Sequence, residues 1–372
     1  MKHYNVPQSM TERLNQLHDR LLVSIPSVDR IGCAIYDPKH DTLKTFVNST
    51  RKGHAISGYE YKLSDSKSLS DLARTGVMRV IDNIEEVFKP TNEHTAWLLE
   101  QGYLSSFTVP LYDQGELLGF VFYDSVLPAA FTPELQRDLV LFANLINLTI
   151  AQDFAAIHSI NASVAMARDF AHHRDFETGM HLDRMALSSR IIAKATAQKF
   201  GLSDEFIEHL YLYAPLHDIG KIGIPDKILL KQERLTPEER EIMKTHVQIG
   251  VEIAGNILRN FRMTKIADST ILLNIIAHHH ECLDGSGYPA GLKGDEIPSE
   301  AKIVAVADVL DALVSNRPYK GRWTLDAAIA ELKKMADQGK LDSDCVAAVE
   351  MHRDEILGII EKYQDGITEE AN

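Results

Sequence analysis

Cysteine is scarce: three residues in 372, Cys33, Cys282 and Cys345, at unrelated spacings. An odd number without a pattern excludes a disulfide framework and points to a reducing compartment, with the cytoplasm as the default. Positive charge is also short, because 39 Lys and Arg stand against 53 Asp and Glu for a net −14. A chain so acidic repels a nucleic-acid polymer, whose binding depends on phosphate neutralisation. A small phosphate ligand stays open, since a metal or a local basic cluster can reverse the local field. No uninterrupted run of about 18 apolar residues stands out, so no membrane span is expected. The N-terminal MKHYNVPQSMTERLNQLHDR has no apolar signal core. Internal repeats, low-complexity tracts and Gly-, Ser- or Pro-rich linkers are missing too. What remains, 45% apolar and 25% charged residues, describes a soluble globular chain long enough for two domains.

The first 130 residues mix strand and helix signals. Arg30–Asp37, Leu43–Thr50, Ser106–Asp113 and Leu117–Ser125 are apolar, β-branched and aromatic, bounded by Asp, Gly or Asn, and predict strands. The last two predict a hairpin turning at Asp113-Gln114-Gly115. Ser68–Gly76 and Thr95–Gly102 predict short helices ending at glycine. Glycine and proline are then absent from Glu134 to Thr178, with Thr132-Pro133 as N-cap and first helical residue. Fully helical, this stretch would span about 67 Å at about 1.5 Å per residue. Leu135, Leu139, Phe142, Ile146, Ile150 and Phe154 form an apolar stripe on it. A helix that long reads as a connector that also pairs with its twin in a homodimer; the plainer alternative is two helices with a kink near Asn161. Beyond residue 180 the pattern is helical, with Ser203 and Ser299 as caps and a capping box of Thr236 with Glu239.

Histidine, in contrast, is plentiful and clustered. His278–Pro289 reads HHHECLDGSGYP. Upstream, YAPLHDIGKIGIPD places His217 beside Asp218, MKTHVQIG holds His246, and FETGMHLDR holds Glu177 and His181; downstream, VAVADVLDAL holds Asp308. Each has an ordinary explanation alone: a core histidine, a hydrogen-bonded carboxylate or a solvated helix face. Together those explanations fail. Asp218 and Asp308 sit among Leu, Ile, Val and Ala, where an uncompensated carboxylate costs several kcal/mol. A metal compensates it, and mixed imidazole and carboxylate donors suit Fe, Mn, Zn or Ni over Ca or Mg. The i, i+4 spacing puts Glu177 and His181 on one helix face. Adjacent His217 and Asp218 on a helix would diverge by about 100°, as two metals bridged by Asp218 would require.

LHDIGKIGIPD with HHECLDGSGYP resembles the HD-GYP family, a subgroup of the HD metal-dependent phosphohydrolases. The resemblance covers roughly residues 155–363 and extends to RPYK at Arg317–Lys320. It implies metal ligands His181, His217, Asp218, His246, His279, His280 and Asp308, with Glu177 as the extra ligand of members holding three ions rather than two, and iron or manganese as the metal. His278 falls outside the ligand pair. It implies a phosphodiesterase that opens cyclic di-GMP to pGpG, in many members on to GMP, by attack of metal-activated hydroxide on phosphorus. Lys221 would steady charge at the scissile phosphate and protonate the leaving oxygen. Arg317 and Lys320 would contact phosphate or base; Arg184 would help or form a structural ion pair. Gly285 and Gly287 would permit positive φ in the DGSGYP loop, and Gly287 and Tyr288 would rim the substrate mouth, with docking of signalling proteins a lesser role for that loop. The chain departs from the family at Cys282-Leu283, commonly Arg-Trp, and at Lys302, commonly Arg.

Residues 10–150 are similar to GAF domains, which bind small molecules or mediate dimerisation. The expected fold is therefore an α+β GAF-like sensor domain (1–150, antiparallel sheet with flanking helices), a connecting helix (151–178) and an all-α HD-type domain (179–372). Cys33, mid-strand, reads as core and not as a chromophore anchor. His54 and His94 read as loop residues more than as haem or metal ligands. Two alternatives to cyclic di-GMP hydrolysis stand: a 3′3′-cyclic GMP-AMP phosphodiesterase, and a non-hydrolysing cyclic-dinucleotide sensor. A phosphohydrolase of ordinary nucleotides is disfavoured by the GYP loop and RPYK.

Overall fold

Period-two alternation builds the N-terminal sheet. Strands β1 (Arg30–Asp37), β2 (Thr42–Thr50), β3 (Glu60–Lys62), β4 (Arg79–Ile81), β5 (Ser105–Asp113) and β6 (Glu116–Ser125) form one antiparallel sheet in the order β3-β2-β1-β6-β5-β4. Successive side chains go to opposite faces. Ile31, Cys33 and Ile35 of β1 and Val121 and Tyr123 of β6 enter one core, while Ala34, Tyr36, Phe120 and Phe122 pack on the other face. The hairpin closes at Gln114 and Gly115, both at positive φ (49° and 93°), the backbone of a tight primed turn. The four long strands stand within a residue of where their alternation put them. β3 and β4, three residues each, are too short to show a period.

The computed structural model describes residues 9–89, 93–170, 179–260, 269–315 and 322–363. It divides into two compact units, Met1–Ala156 and Ile157–Asn372. The N-terminal unit carries helices α1 (Met10–Ser24), α2 (Lys67–Thr75), α3 (Ile84–Val87), α4 (Glu93–Glu100) and most of α5 (Pro133–Phe170). Ser9 caps α1, and Gly76 ends α2 in the left-handed region.

The sequence stripe on α5 finds its partner within its own domain. Leu139, Ile146 and Ile150 are buried in the core formed with α1 and the sheet, and Leu135, Phe142 and Phe154 pack against it. Tyr123 Oη donates to the Leu139 carbonyl at 3.1 Å, tying β6 to α5. The stripe read as a dimer seam is therefore the inner face of a core helix, and among the described residues of α5 the large apolar side chains left outside are Leu141, Leu145 and Leu148. Pro133–Ala162 is also long and apolar enough to cross a membrane by length and composition, contrary to the sequence expectation that no segment would be. Its apolar content is accounted for in part by this packing against the sheet. The continuation of the expected helix over 171–178 lies outside the described residues.

The C-terminal unit is helical: α6 (Gly179–Phe200), α7 (Asp204–Tyr213), α8 (Asp226–Leu229), α9 (Pro237–Lys244), α10 (His246–Asn260), α11 (Ser269–His278), α12 (Ser299–Val314), α13 (Leu325–Asp337), α14 (Ser343–Met351) and α15 (Arg353–Lys362). Ser203 caps α7, and Thr236 with Glu239 forms the capping box of α9. Ser299 is the first residue of α12 and not its cap; Pro298 precedes it, and the Ser299 hydroxyl turns to Glu300.

Replacing the fully buried Leu139 by Ala should cost about 2–5 kcal/mol. The same change at the exposed Leu145 should stay within about 0.5 kcal/mol. Urea unfolding of the full chain measures both; equal costs would show that the stripe is not the core face.

Candidate metal centre

The site begins with two short 3-10 turns. Ala214–Leu216 and Ile219–Gly223 flank His217 and Asp218, so the pair lies at a break in the helical path and not within a helix, as the sequence suggested. Gly220 makes the break possible. A Cβ there would stand 1.8 Å from the His246 carbonyl oxygen and 2.5 Å from Gly250 N. The turn thus presses backbone to backbone on α10, which opens with His246, the residue after the α9 C-cap Thr245. His279 and His280 follow the last residue of α11, and Asp308 and Asp311 lie one turn apart on α12.

Three imidazoles are fixed the same way. His217 Nδ1 donates to the Ala214 carbonyl (2.9 Å), His246 Nδ1 to Met243 (2.7 Å), and His279 Nδ1 to Ile275 (3.0 Å). A ring that donates from Nδ1 presents a bare lone pair at Nε2, the arrangement of a metal-ligating histidine. His181 is held by a carboxylate instead, Nδ1 to Asp311 Oδ2 at 2.6 Å.

Asp218 lies between these rings. Its Oδ1 is 3.1 Å from His246 Nε2 and 3.6 Å from His279 Nε2; its Oδ2 is 3.2 Å from His217 Nε2 and 2.8 Å from Lys221 Nζ. Burial opposes ionisation of this carboxyl, but Lys221 and His217 outweigh it and hold its pKa well below the usual carboxylate value. Burial, reinforced by His279, pushes the His280 imidazole down to about 2, so the ring is neutral and able to donate a lone pair. Asp308 Oδ1 approaches His217 Nε2 at 3.9 Å.

Donor atoms of Asp218, His246, His279 and His280 all lie within 4.8 Å of one another. Asp218 Oδ1, His246 Nε2 and His279 Nε2 are buried with no hydrogen-bond partner. Acceptors facing acceptors in a buried space fit a cation between them, and three imidazoles with a carboxylate suit a divalent transition metal. His181 and His217 stand on the far side of this group, ring centroids 5.9 Å apart, with His217 5.1 Å from His279.

The other sequence-selected residues divide. Arg184 of α6 reaches across to α12. It is buried and donates to Asp311 Oδ1 (2.5 Å), Ser315 Oγ (2.7 Å) and the Tyr363 carbonyl (2.6 Å). Of the two roles weighed for it, the ion pair is the one present here, and it holds Asp311 against His181. Gly285 has the expected positive φ of 82°, but Gly287 does not have one. Gly287 is needed for space, since a Cβ there would meet Cys282 N at 2.4 Å and the His280 carbonyl oxygen at 2.5 Å. Tyr288 stacks on His280 with centroids 4.6 Å apart, and Lys244 Nζ lies 5.4 Å from the tyrosine ring centroid. His278 is the last residue of α11, and burial lowers its pKa. Glu177, Arg317 and Lys320 lie outside the described residues.

Two residues escaped the sequence reading. Asp311 recurs three after Asp308, a spacing that was visible. Glu281, the acid of HHE, is buried and accepts from the backbone of Ala290 (2.7 Å), Gly291 (3.1 Å) and Leu292 (3.0 Å), clamping the far side of the GYP loop.

Known proteins share long stretches of this sequence. A family described as HD domain matches residues 176–345, and one described as GAF domain matches residues 15–150. The chain therefore carries a GAF domain followed by an HD domain. It is 46% identical over 178 residues to the cyclic di-GMP phosphodiesterase response regulator RpfG of Xanthomonas campestris, a match covering 48% of this chain and 44% of the relative. It is 45% identical over 200 residues to a cyclic di-GMP phosphodiesterase of Thermotoga maritima (52% and 50%). It is 36% identical over 244 residues to the 3′3′-cGAMP-specific phosphodiesterase 2 of Vibrio cholerae (63% and 44%). The chain matches about half the length of these curated relatives.

Asp311→Ala should weaken metal binding about 10- to 100-fold by releasing His181. Metal titration of the stripped protein reads this directly; an unchanged affinity would reduce Asp311 to a packing role.

Proposed function

We propose that the chain is a metal-dependent cyclic-dinucleotide phosphodiesterase, hydrolysing cyclic di-GMP to pGpG and on to GMP, under the influence of its GAF domain. One observation carries the reading: buried lone pairs of His246 and His279 converge with Asp218 Oδ1 without a hydrogen-bond partner among them. The relatives named above as phosphodiesterases support it.

His181, His217, Asp218, His246, His279, His280 and Asp308 would hold two divalent ions, and Glu177 would add a third, with iron or manganese as the metal. Such ions supply the Lewis acidity that neutralises phosphoryl oxygens and acidifies a water. The protein does the rest. Asp218 turns one oxygen to each imidazole group and orders them around a common charge. Lys221, a fifth exposed and paired with Asp218 Oδ2, is positioned to balance charge on a departing oxygen and give it a proton. Tyr288, stacked on His280 at the rim, offers an aromatic face to a base. Arg317 and Lys320 would grip the remaining phosphate.

We also read the chain as a homodimer through its exposed α5 face at Leu141, Leu145 and Leu148. Signalling partners at the GYP loop and a cytoplasmic location belong to the same reading.

Metal-loaded protein incubated with cyclic di-GMP, 3′3′-cyclic GMP-AMP and dGTP should yield linear product from a cyclic dinucleotide, resolved by chromatography. No product from either would leave a binding module, and product from dGTP alone a general nucleotide hydrolase. Lys221→Met should lower kcat about 10²- to 10³-fold with metal content retained. Glu177→Ala should lose one metal equivalent after anaerobic purification; equal content would remove the third ion.

A further inference from the structure

The GAF domain encloses a cavity of about 490 Å³, separate from the metal ligands and unused by the chemistry above. Its size is that of a small organic ligand. It opens between β1, β2, β4 and the segments around α2 and α3.

The charges in its wall are unequal. Arg30, Lys67, Arg79 and Lys89 line it against Asp65 and Asp124. Arg30 is already neutralised: its Nη1 donates to Asp124 Oδ2 at 2.5 Å, both side chains are buried, and Gly32 leaves the space in which the guanidinium folds back. The second oxygen of Asp124 accepts from Ser106 Oγ at 2.8 Å. Both oxygens of Asp124 thus already accept a hydrogen bond, one of them from a cation.

Arg79 is different. Its Nη1 donates to Ser68 Oγ (2.6 Å) and its Nη2 to Thr108 Oγ1 (3.2 Å), both neutral hydroxyls. Its Nε is buried with no partner, and no carboxylate among the described residues forms an ion pair with it. Burial disfavours its charge. The charge of Asp124 offsets this in part, but that carboxylate is paired directly with Arg30 and not with Arg79, so an anion arriving with a ligand would be the first in direct contact with the Arg79 guanidinium. A planar fork of donors matches a carboxylate in two-point contact.

The rest of the wall is apolar and aromatic. Tyr59 and Tyr61 stack at 6.4 Å, Phe88 lies under Arg79 with its centroid 5.9 Å from the guanidinium carbon, and Ile56, Leu98 and Phe122 complete the surface. Cys33 of β1 borders the cavity, but its side chain is buried in the core on the α5 face and burial pushes its thiol up to about 12, so a thiolate link to a ligand is unavailable near neutral pH.

We propose that this cavity binds a small organic carboxylate with an aromatic body, its carboxylate paired with Arg79 and its ring packed among the tyrosines and Phe88. The test uses the full chain and isothermal titration. Phenylacetate and indole-3-acetate are compared with phenylacetamide and phenethylamine, which keep the body and change the head, and with inorganic phosphate, which keeps a negative charge and removes the body. The acids should bind about 10- to 100-fold more tightly than the amide, the difference a charge-assisted contact makes. Arg79→Gln should erase that preference. The wild-type series stands by itself should the variant fold poorly. The proposal is overturned if neither acid binds at millimolar concentration. Equal binding of the amide, preference for the amine or tighter binding of phosphate overturns it as well, as does a preference that survives Arg79→Gln in a folded protein.

Discussion

The HD domain is organised around an electrostatic conflict at Asp218. Its two oxygens face imidazole nitrogens on two sides, and those of His246 and His279 present lone pairs because their other nitrogens donate to backbone carbonyls. Acceptor set against acceptor in a buried space is repulsive. Lys221 relieves one oxygen only. The remaining repulsion is relieved by protons on the imidazoles or by a metal, and a metal serves several nitrogens at once where a proton serves one. Metal uptake should therefore displace protons and stiffen the elements that supply the donors.

Holding such a cluster together requires elements that approach more closely than side chains allow. Gly220 lets the HD turn contact the start of α10, and Gly250 lets α10 take Ile276 of α11 against its backbone. Gly287 does the same for the GYP loop on residues 280–282, while Glu281 pins that loop from the opposite side. Behind His181, Arg184 and Asp311 form a buried pair, and the Asp311 carboxyl, despite its burial, is held down at about 2 by His181 and Arg184. The glycines and the buried ion pairs are thus parts of one device, which fixes the direction of each donor atom.

How far the sequence disclosed this depends on the physics of each element. The strands were legible because one residue in two is buried on each face, and the Gln114-Gly115 turn because its backbone demands positive φ. The stripe on α5 was legible as a buried face, but periodicity says only that something covers it, and the cover proved to be its own sheet. The four donors that lie together, Asp218, His246, His279 and His280, were legible as parts of a motif. The break at His217-Asp218 was hidden, because a helical pattern runs on both sides of it. Arg184 was weighed between a substrate contact and an ion pair, and the ion pair is present; Gly287 was expected at positive φ, whereas the close approach of residues 280–282 is what calls for glycine there. Glu281 and Asp311 went unseen because a carboxylate that accepts from backbone or holds a histidine looks, in sequence, like any surface acid.

The GAF cavity and helix α5 lie on opposite faces of the same sheet. Phe122 lines the cavity, and the next residue, Tyr123, points into the α5 core and donates to the Leu139 carbonyl. A strand cannot turn one residue without turning its neighbour, because alternate faces share one backbone. The shortest path from an occupied cavity to α5 is therefore one peptide long. β6 is paired on both sides, by β1 and β5, so it resists sliding along its length. The motion left to it is a change of twist, and a change of twist would reach α5 as a rotation of the face that carries Leu139, Ile146 and Ile150. That makes the sheet, and not the loops around the cavity, the element through which this domain would act on the helix that leaves it.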